Sequence, residues 1–327
     1  MERGGSGNPE SWRPTFGYVA LLARNRLRRL RRQGIGTVAR SDIRRAHAAA
    51  RRTRWAITHN VSPNAVPTFI VGVQRSGTDM LVHAFKESAE VAVYNESMDS
   101  RAFSSFALRS DEVIRELVSR SRHRCVVFKS PLDSHRVVHL LAELGTPSRG
   151  RAIWAYRSME GRVRSLLAVW PESNWRALRD VAAGVSRWEG SGLSEEQLAL
   201  VRSFDYDRMT PDSGAALHWY LRNSFFFELD LYQRPDIALV SYERMIDDPA
   251  RFLEMLCAFV GISYDSRMTR GIGRRPDPIG RHLDVDPRIR ELCQALEVRL
   301  DAEFGSRVAS GSVASVSPAP TASAVQT

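Results

Sequence analysis

From residue 67 onward the chain alternates short apolar runs with longer stretches of helical period. The runs 67–72, 91–94, 124–129, 151–156 and 237–241 are dense in apolar residues and bounded by Gly, Ser or charged residues, which predicts strands. The segments 78–89, 111–120, 134–144, 159–169, 213–231, 249–260 and 287–303 repeat apolar residues three and four apart, which predicts helices. Strands that read as continuous apolar runs are buried on both faces, and their alternation with helices predicts βαβ units. The expected fold is α/β in three layers, with a central, mostly parallel sheet and helices on both faces. Residues 171–212, which include Trp175 and Trp188, show no strand pattern and are expected to form a helical insertion over the sheet. No internal repeat is present.

The ends of the chain read differently. Residues 1–15 are rich in Gly, Pro and Ser and are expected to be disordered, whereas 16–58 look helical, with Leu22, Leu27 and Leu30 set among arginines. The net charge is +10, yet residues 1–60 hold 14 Arg against Glu2, Glu10 and Asp42, a balance of +11. The remaining residues therefore sum to −1 (10 − 11), and the basic character belongs to an N-terminal arm. A basic amphipathic helix of this kind suits packing on the body or contact with an anionic membrane surface, and nucleic acid is the least expected partner. Residues 306–327 are Ala, Ser, Val and Pro with no charge after Arg307, which predicts a disordered tail. The apolar run Phe16–Ala23 is about 8 residues, too short to span a bilayer, and arginines follow it instead of leading it as in a secretory signal. A cytoplasmic protein, peripheral at the membrane if the arm engages lipid, is expected. Cys125, Cys257 and Cys293 lie far apart, without the spacing of a zinc site or a disulfide framework, and the first two sit in apolar patterns that predict buried thiols.

Candidate chemistry gathers where predicted strands end. The first strand runs into Gly72-Val73-Gln74-Arg75-Ser76-Gly77-Thr78 and then a helix. Glycines with backbone N–H groups at a helix N-terminus suit a phosphate, giving a P-loop-NTPase-like arrangement. A Walker A loop requires G-x-x-x-x-G-K-S/T. The glycine spacing is met, but Thr78 stands at the lysine position and the cation has moved to Arg75. The next two central strands end in Lys129-Ser130-Pro131 and Tyr156-Arg157-Ser158. An NTP hydrolase or kinase would usually place an aspartate at such a point to hold magnesium. Cations there favour direct clamping of a polyanionic nucleotide without a metal. Lys86 and Lys129 are the only lysines beside 45 arginines, which makes Lys129 at a strand end conspicuous.

These segments resemble those of sulfotransferases that use 3′-phosphoadenosine 5′-phosphosulfate (PAPS). Phe69–Leu81 is similar to the family's 5′-phosphosulfate loop, in the bacterial, carbohydrate and tyrosylprotein branch where arginine replaces lysine, as Arg75 does here. Arg157 and Ser165 resemble its 3′-phosphate pair, and Lys129-Ser130-Pro131 its Lys-Ser/Thr-Pro segment. Val240–Pro249, followed by Leu256–Gly261, resembles its Tyr-Glu-Asp-Leu, Asp-Pro and Phe-Leu-Gly stretch. The resemblance spans roughly residues 66–304 and implies a sulfotransferase domain over 61–305.

It also implies roles. Ser76, Gly77 and Thr78 would hold the 5′-phosphate, Arg75 and Lys129 the leaving side, and Arg157 with Ser165 the 3′-phosphate. Tyr242 would contact adenine, and Arg274 and Arg275 fall where the family's C-terminal loop covers the 3′-phosphate. Glu96, just past the second predicted strand, is the favoured base for an acceptor hydroxyl on a sugar, lipid or small molecule, and His135 is the alternative. Asp79 departs from the family's neutral residue beside the phosphate, and a carboxylate there must pair or turn away. That departure keeps a catalytically weak nucleotide- or polyanion-binding protein in view, and a P-loop nucleotide kinase or NTPase is the rival enzyme.

Overall fold

A computed structural model describes residues 35–60, 62, 64–144, 150–273 and 282–309. Its strands are β1 (Val66–Gly72), β2 (Val91–Asn95), the short β3 (Phe103–Ser104) and β4 (Ala107–Leu108), then β5 (Cys125–Lys129), β6 (Arg151–Tyr156) and β7 (Ile237–Ser241). Five of them form one wholly parallel sheet in the order β2-β5-β1-β6-β7. The five match the apolar runs of the sequence to within one residue at either end.

Alternation along each strand explains why both faces must be covered. Phe69 and Val71 of β1, Val126 and Phe128 of β5, and Ala152 and Trp154 of β6 enter one core. Ile70, Cys125, Val127, Ile153 and Ala155 enter the other. The second core is closed by α2 (Thr78–Glu87), α9 (Tyr242–Asp247) and α10 (Pro249–Val260), numbered after α1 (Ile35–Thr58). The first is closed by α3 (Asp111–Ser119), α4 (Val137–Leu144), α5 (Met159–Leu167), α6 (Ser173–Ala182), α8 (Pro211–Glu228) and α11 (Pro287–Ala309), with α7 (Glu195–Arg202) packed at its margin. The expected three-layer α/β architecture is what the chain adopts. The stretch 171–212 holds two helices and no strand, as its pattern suggested.

Four local differences have physical causes. The helix expected at 134–144 starts as a 3₁₀ turn, Pro131–Arg136, with Pro131 at its first position. The helix expected at 213–231 runs from Pro211, where Thr210 caps it by accepting from Ser213 N–H, and ends at Glu228. Residues 306–309 of the expected tail belong to α11, which continues to Ala309, and 310–327 lie outside the described residues. Arg307 explains this extension: its buried guanidinium donates to the carbonyls of Ile237 (2.5 Å), Leu231 (3.1 Å) and Tyr232 (2.5 Å). Finally, the β3–β4 hairpin was not anticipated, since two-residue strands are too short to show a period.

The described part of the basic arm, α1, packs on the body. Arg51 pairs with Glu87 at 2.9 Å, Arg52 donates to the Lys86 carbonyl, and Trp55 Nε1 donates to the Arg122 carbonyl at 3.1 Å. Arg122 donates back to Ala56 O at 2.9 Å. The remainder of the arm, residues 1–34, lies outside the described residues. All three cysteines are free and buried. Among the described residues no helix is long and apolar enough to cross a membrane.

Sheet geometry at the first turn depends on Gly72. Its φ is 104°, and a Cβ there would lie 2.3 Å from the Ala155 carbonyl oxygen of the neighbouring strand. Gly72→Ala is expected to destabilise the fold by about 2 kcal/mol or more, through strain and displacement of β6. Thermal melting checks this, and an unchanged midpoint would show that the strand pair can relax.

Candidate active site

Open parallel sheets place ligands beyond the carboxyl ends of their strands, where the chain order reverses. Here that point is the end of β1, flanked by β5 and β6. The loop Val73–Gly77 turns sharply into α2 through positive φ at Gly72 (104°), Arg75 (74°) and Gly77 (88°). Gly77 cannot carry a side chain, because a Cβ would meet the Tyr242 ring at 2.9 Å and Met245 Cε at 3.0 Å. Backbone of this alternating kind directs successive N–H groups inward and adds to the positive end of the helix dipole. Ser76 and Ser130 each keep a buried hydroxyl without a hydrogen-bond partner among the described residues. Ser134 Oγ ties the loop to the β5 side, accepting from Gly72 N–H (2.9 Å) and donating to Pro131 O (2.7 Å).

Lys129 ends β5 with only 5% of its surface exposed. Its ammonium donates to Glu96 Oε1 at 2.6 Å and to Asp79 Oδ1 at 2.8 Å. The three groups come from the ends of β5 and β2 and from the first turn of α2, so the sheet edge itself assembles them. Burial would weaken the Lys129 charge, but Glu96 and Asp79 outweigh it and hold the ammonium above its ordinary range. The two acids respond in opposite directions. Burial drives Glu96 up, with Asp79 and Asp133 adding to it, more than Lys129 can lower it. Burial also acts upward on Asp79, yet Lys129, His83 and Arg75 hold this exposed carboxyl below its usual value. The pairing that the sequence demanded of Asp79 is therefore met by a lysine 50 positions away.

The arginines divide between two neighbours. Arg75 Nε donates to Ser165 Oγ at 3.1 Å, so the hydroxyl that the sequence grouped with Arg157 stands on the Arg75 side. Arg157 lies over the Tyr242 ring at 4.2 Å from its centroid, with Nε 3.9 Å from Glu243 Oε1. Its carbonyl accepts from Trp219 Nε1 at 2.9 Å, which fixes the strand end against α8. Arg274 and Arg275 lie outside the described residues.

Two buried arginines were missed, since arginine is too common in this chain for one more to signal a role. Arg162 donates to Gln74 O (3.3 Å), Ala215 O (2.9 Å) and Asn174 Oδ1 (2.9 Å), bracing the loop from beneath. Arg222 donates to Leu132 O (3.2 Å) and Ser191 O (3.1 Å), joining the Lys129 segment to the helical insertion. Burial brings the first down to about 9 and the second to about 10.

His135 occupies the 3₁₀ turn after Lys129, against Gly192 of the insertion, where a Cβ would lie 2.4 Å from the histidine's own. Its Nδ1 is buried without a hydrogen-bond partner among the described residues. Burial, with Arg222 and Arg136 nearby, pushes its pKa down to about 4.

A separate cavity of about 670 Å³ opens beside Ser158, between α9, α10 and the end of α11. Glu243, Asp247, Asp248, Glu297 and Asp301 outnumber Arg244 and Arg251 in its lining, and the excess of acid disfavours a polyanion. Among the described residues no three His, Cys, Asp or Glu side chains converge as a metal site would require.

A phosphate loop without a Walker lysine, facing a lysine shared by two carboxylates, suits a group-transfer enzyme acting on an anionic donor. The chain belongs to the sulfotransferase domain family, whose model matches residues 66–275. It is accordingly a PAPS-dependent sulfotransferase. Among solved structures, a sulfotransferase from Alicyclobacillus acidocaldarius is 18% identical, with a TM-score of 0.41 over 76% of this chain and 96% of that one. The sulfotransferase domain of the curacin biosynthetic pathway is 13% identical, with a TM-score of 0.45 over 73% and 99%. A mouse sulfotransferase complexed with PAP is 14% identical, with a TM-score of 0.37 over 80% and 90%. No curated protein matches the chain.

The depressed His135 gives a signed prediction. In the fold it stays neutral to about pH 4, whereas the unfolded chain protonates it near 6.5. Its contribution is complete above 6.5 and is lost as pH falls toward 4. The melting temperature of His135→Asn should therefore decline less steeply than that of wild type across this window. Parallel curves would place His135 in a solvated setting.

Proposed function

We propose that the protein transfers the sulfonate of PAPS to an acceptor hydroxyl by in-line displacement, with Glu96 as the base. One observation carries the reading: a single ammonium holds two carboxylates whose proton affinities are pushed apart, Glu96 upward and Asp79 downward. Groups displaced in this way divide the labour of acid–base chemistry. Glu96, buried and raised, is suited to take a proton near neutral pH. Asp79 stays ionised and fixes Lys129, so the family departure at this position is accommodated by pairing.

In the proposed step the acceptor oxygen bonds to sulfur as the bond from sulfur to the bridging phosphate oxygen breaks. The acceptor proton passes to Glu96, and the bonding pair leaves with the 5′-phosphate. Arg75, Lys129 and the N–H groups at Ser76, Gly77 and Thr78 stabilise that developing charge. Arg157 reads the 3′-phosphate with the planar fork that suits phosphate oxygens, and Tyr242, already stacked on it, lies against the adenine. Ser165 supports Arg75 and the phosphates between them. The fixed cations do the work for which kinases use magnesium, so the transfer requires no metal. His135 is the weaker candidate base, because its low pKa makes it a poor proton acceptor. The family assignment displaces the nucleotide-kinase reading, for which Thr78 already lacked the necessary charge.

The donor is tested by thermal shift. The product nucleotide 3′-phosphoadenosine 5′-phosphate should raise the melting temperature more than ATP does, and Arg157→Ala should erase the difference. Equal stabilisation by both nucleotides in wild type would refute the donor assignment.

The base is tested by turnover. Glu96→Gln should bind the product nucleotide normally and lose on the order of 10²–10⁴ in rate. Turnover close to wild type would remove Glu96 from the chemistry.

A further inference from the structure

The segment that follows Glu96 is held in a conformation that its side chains resist. β3 and β4 pair Phe103 with Leu108 and Ser104 with Ala107, leaving Ser105 and Phe106 as the two turn residues. Their φ values are 50° and 67°, the signs required by a type I′ turn, which ordinarily takes Asn-Gly or Gly-Gly. A bulky aromatic at such a φ is an outlier, and outliers persist where the surroundings over-determine them. Here they do. Phe103 is fully buried, Leu108 N–H donates to Asp133 Oδ2 at 3.0 Å, and Arg109 pairs with Asp99 at 2.5 Å.

The same turn fixes the hairpin against the residues next to the base. Ser105 N–H donates to Met98 O at 2.7 Å, and Phe106 N–H donates to Ser97 O at 2.9 Å. The strained backbone thus keeps Phe106 and Met98 exposed, at 40% and 51%, beside the strand end that carries Glu96. From the Arg75 side, Val169 follows Ser165 by one helical turn and is exposed, as is Trp170. The exposed part of that ring gains nothing in stability from standing in water, and it is available to something that binds it.

We propose that Phe106 and Met98 form the lip that receives the acceptor, and that the acceptor's hydroxyl is carried on an apolar body, an alkyl or aromatic alcohol. This rests on the sulfotransferase reading given above. A thioether and a phenyl ring offer dispersion and hydrophobic contact but no hydrogen bonds, so they reward removal of apolar surface from water and give a polyhydroxylated ring little to pair with. Methionine adapts to irregular shapes, while the hairpin fixes the aromatic. The lip therefore selects for apolarity more than for one outline.

The test gives the full chain, with PAPS, three probes at equal concentration: 2-naphthol, 1-decanol and methyl β-glucoside. At least one apolar probe should exceed the glucoside in kcat/KM by about tenfold or more. Phe106→Gly keeps the turn's positive φ accessible, so the protein should still fold while kcat/KM for the preferred apolar probe falls by about tenfold or more. Binding of 3′-phosphoadenosine 5′-phosphate should be unchanged, and Phe106→Leu should recover part of the rate. Preference for the glucoside, turnover of neither apolar probe, or a Phe106→Gly protein that binds the product nucleotide with unaltered kcat/KM would overturn the proposal. Failure of wild type to bind the product nucleotide is a different result, because it overturns the donor assignment on which the proposal rests.

Discussion

The ammonium of Lys129 sits almost wholly out of water, between a buried carboxylate and an exposed one, and the site is organised around its retention there. A cation in such a position is costly unless its donors are satisfied, and removing one partner of a buried pair costs about 3–5 kcal/mol. The register of the sheet supplies the partners. Asn95 of β2 lies opposite Lys129 of β5, so the residue after Asn95, Glu96, arrives beside the lysine by strand pairing alone. Ile70 of β1 lies opposite Lys129 on its other side, and the loop leaving β1 delivers Asp79 on the first turn of α2. A slip of β5 by one residue would turn the lysine to the other face and leave both carboxylates without it. Fold and chemistry are thus joined at one register.

Arginines perform a different task from this lysine. Arg162, Arg222 and Arg307 are buried at 0%, 1% and 8% exposure and direct most of their donors to backbone carbonyls. A guanidinium can satisfy several carbonyls at once in a fixed fork, which lets it tie a loop to a helix where an apolar residue would leave those carbonyls unpaired. Arg162 does this beneath the phosphate loop and has no carboxylate among its hydrogen-bond partners. Together with Arg75 and the N-terminus of α2 it surrounds the loop with positive charge. A loop in that state gains stability from a bound polyanion, by the same linkage that makes ligand binding a stabilising event.

The sequence made the sheet legible because all five parallel strands are buried on both faces and read as unbroken apolar runs. It made Lys129 legible through scarcity, as one of only two lysines beside 45 arginines. The same abundance concealed Arg162 and Arg222, whose burial and carbonyl partners depend on tertiary packing. Asp79 read as a liability because its partner lies 50 residues away, and only the pairing of β1 with β5 brings the two together. Resemblance groups Ser165 with Arg157, whereas its hydroxyl meets Arg75, a difference of side-chain reach that motif spacing does not encode. The hairpin after Glu96 left no periodic trace, and its turn carries none of the glycines or asparagines that usually announce one.

That last failure of sequence reasoning has a physical meaning. Local preference and global structure agree along most of a natural chain, and disagreement concentrates where function requires it. Among the described residues four non-glycine positions have positive φ: Arg75, Ser105, Phe106 and Asp230. Asp230 belongs to a surface connection, and aspartate tolerates the left-handed region. Of the other three, one lies in the phosphate loop and two in the hairpin that follows Glu96. Arg75 takes a strained backbone and thereby has its guanidinium at Ser165. Phe106 takes one and thereby stands partly exposed next to the segment that follows Glu96. Strain in the phosphate loop and again in the hairpin after Glu96 is what remains when the unstrained alternatives would have pointed these side chains elsewhere.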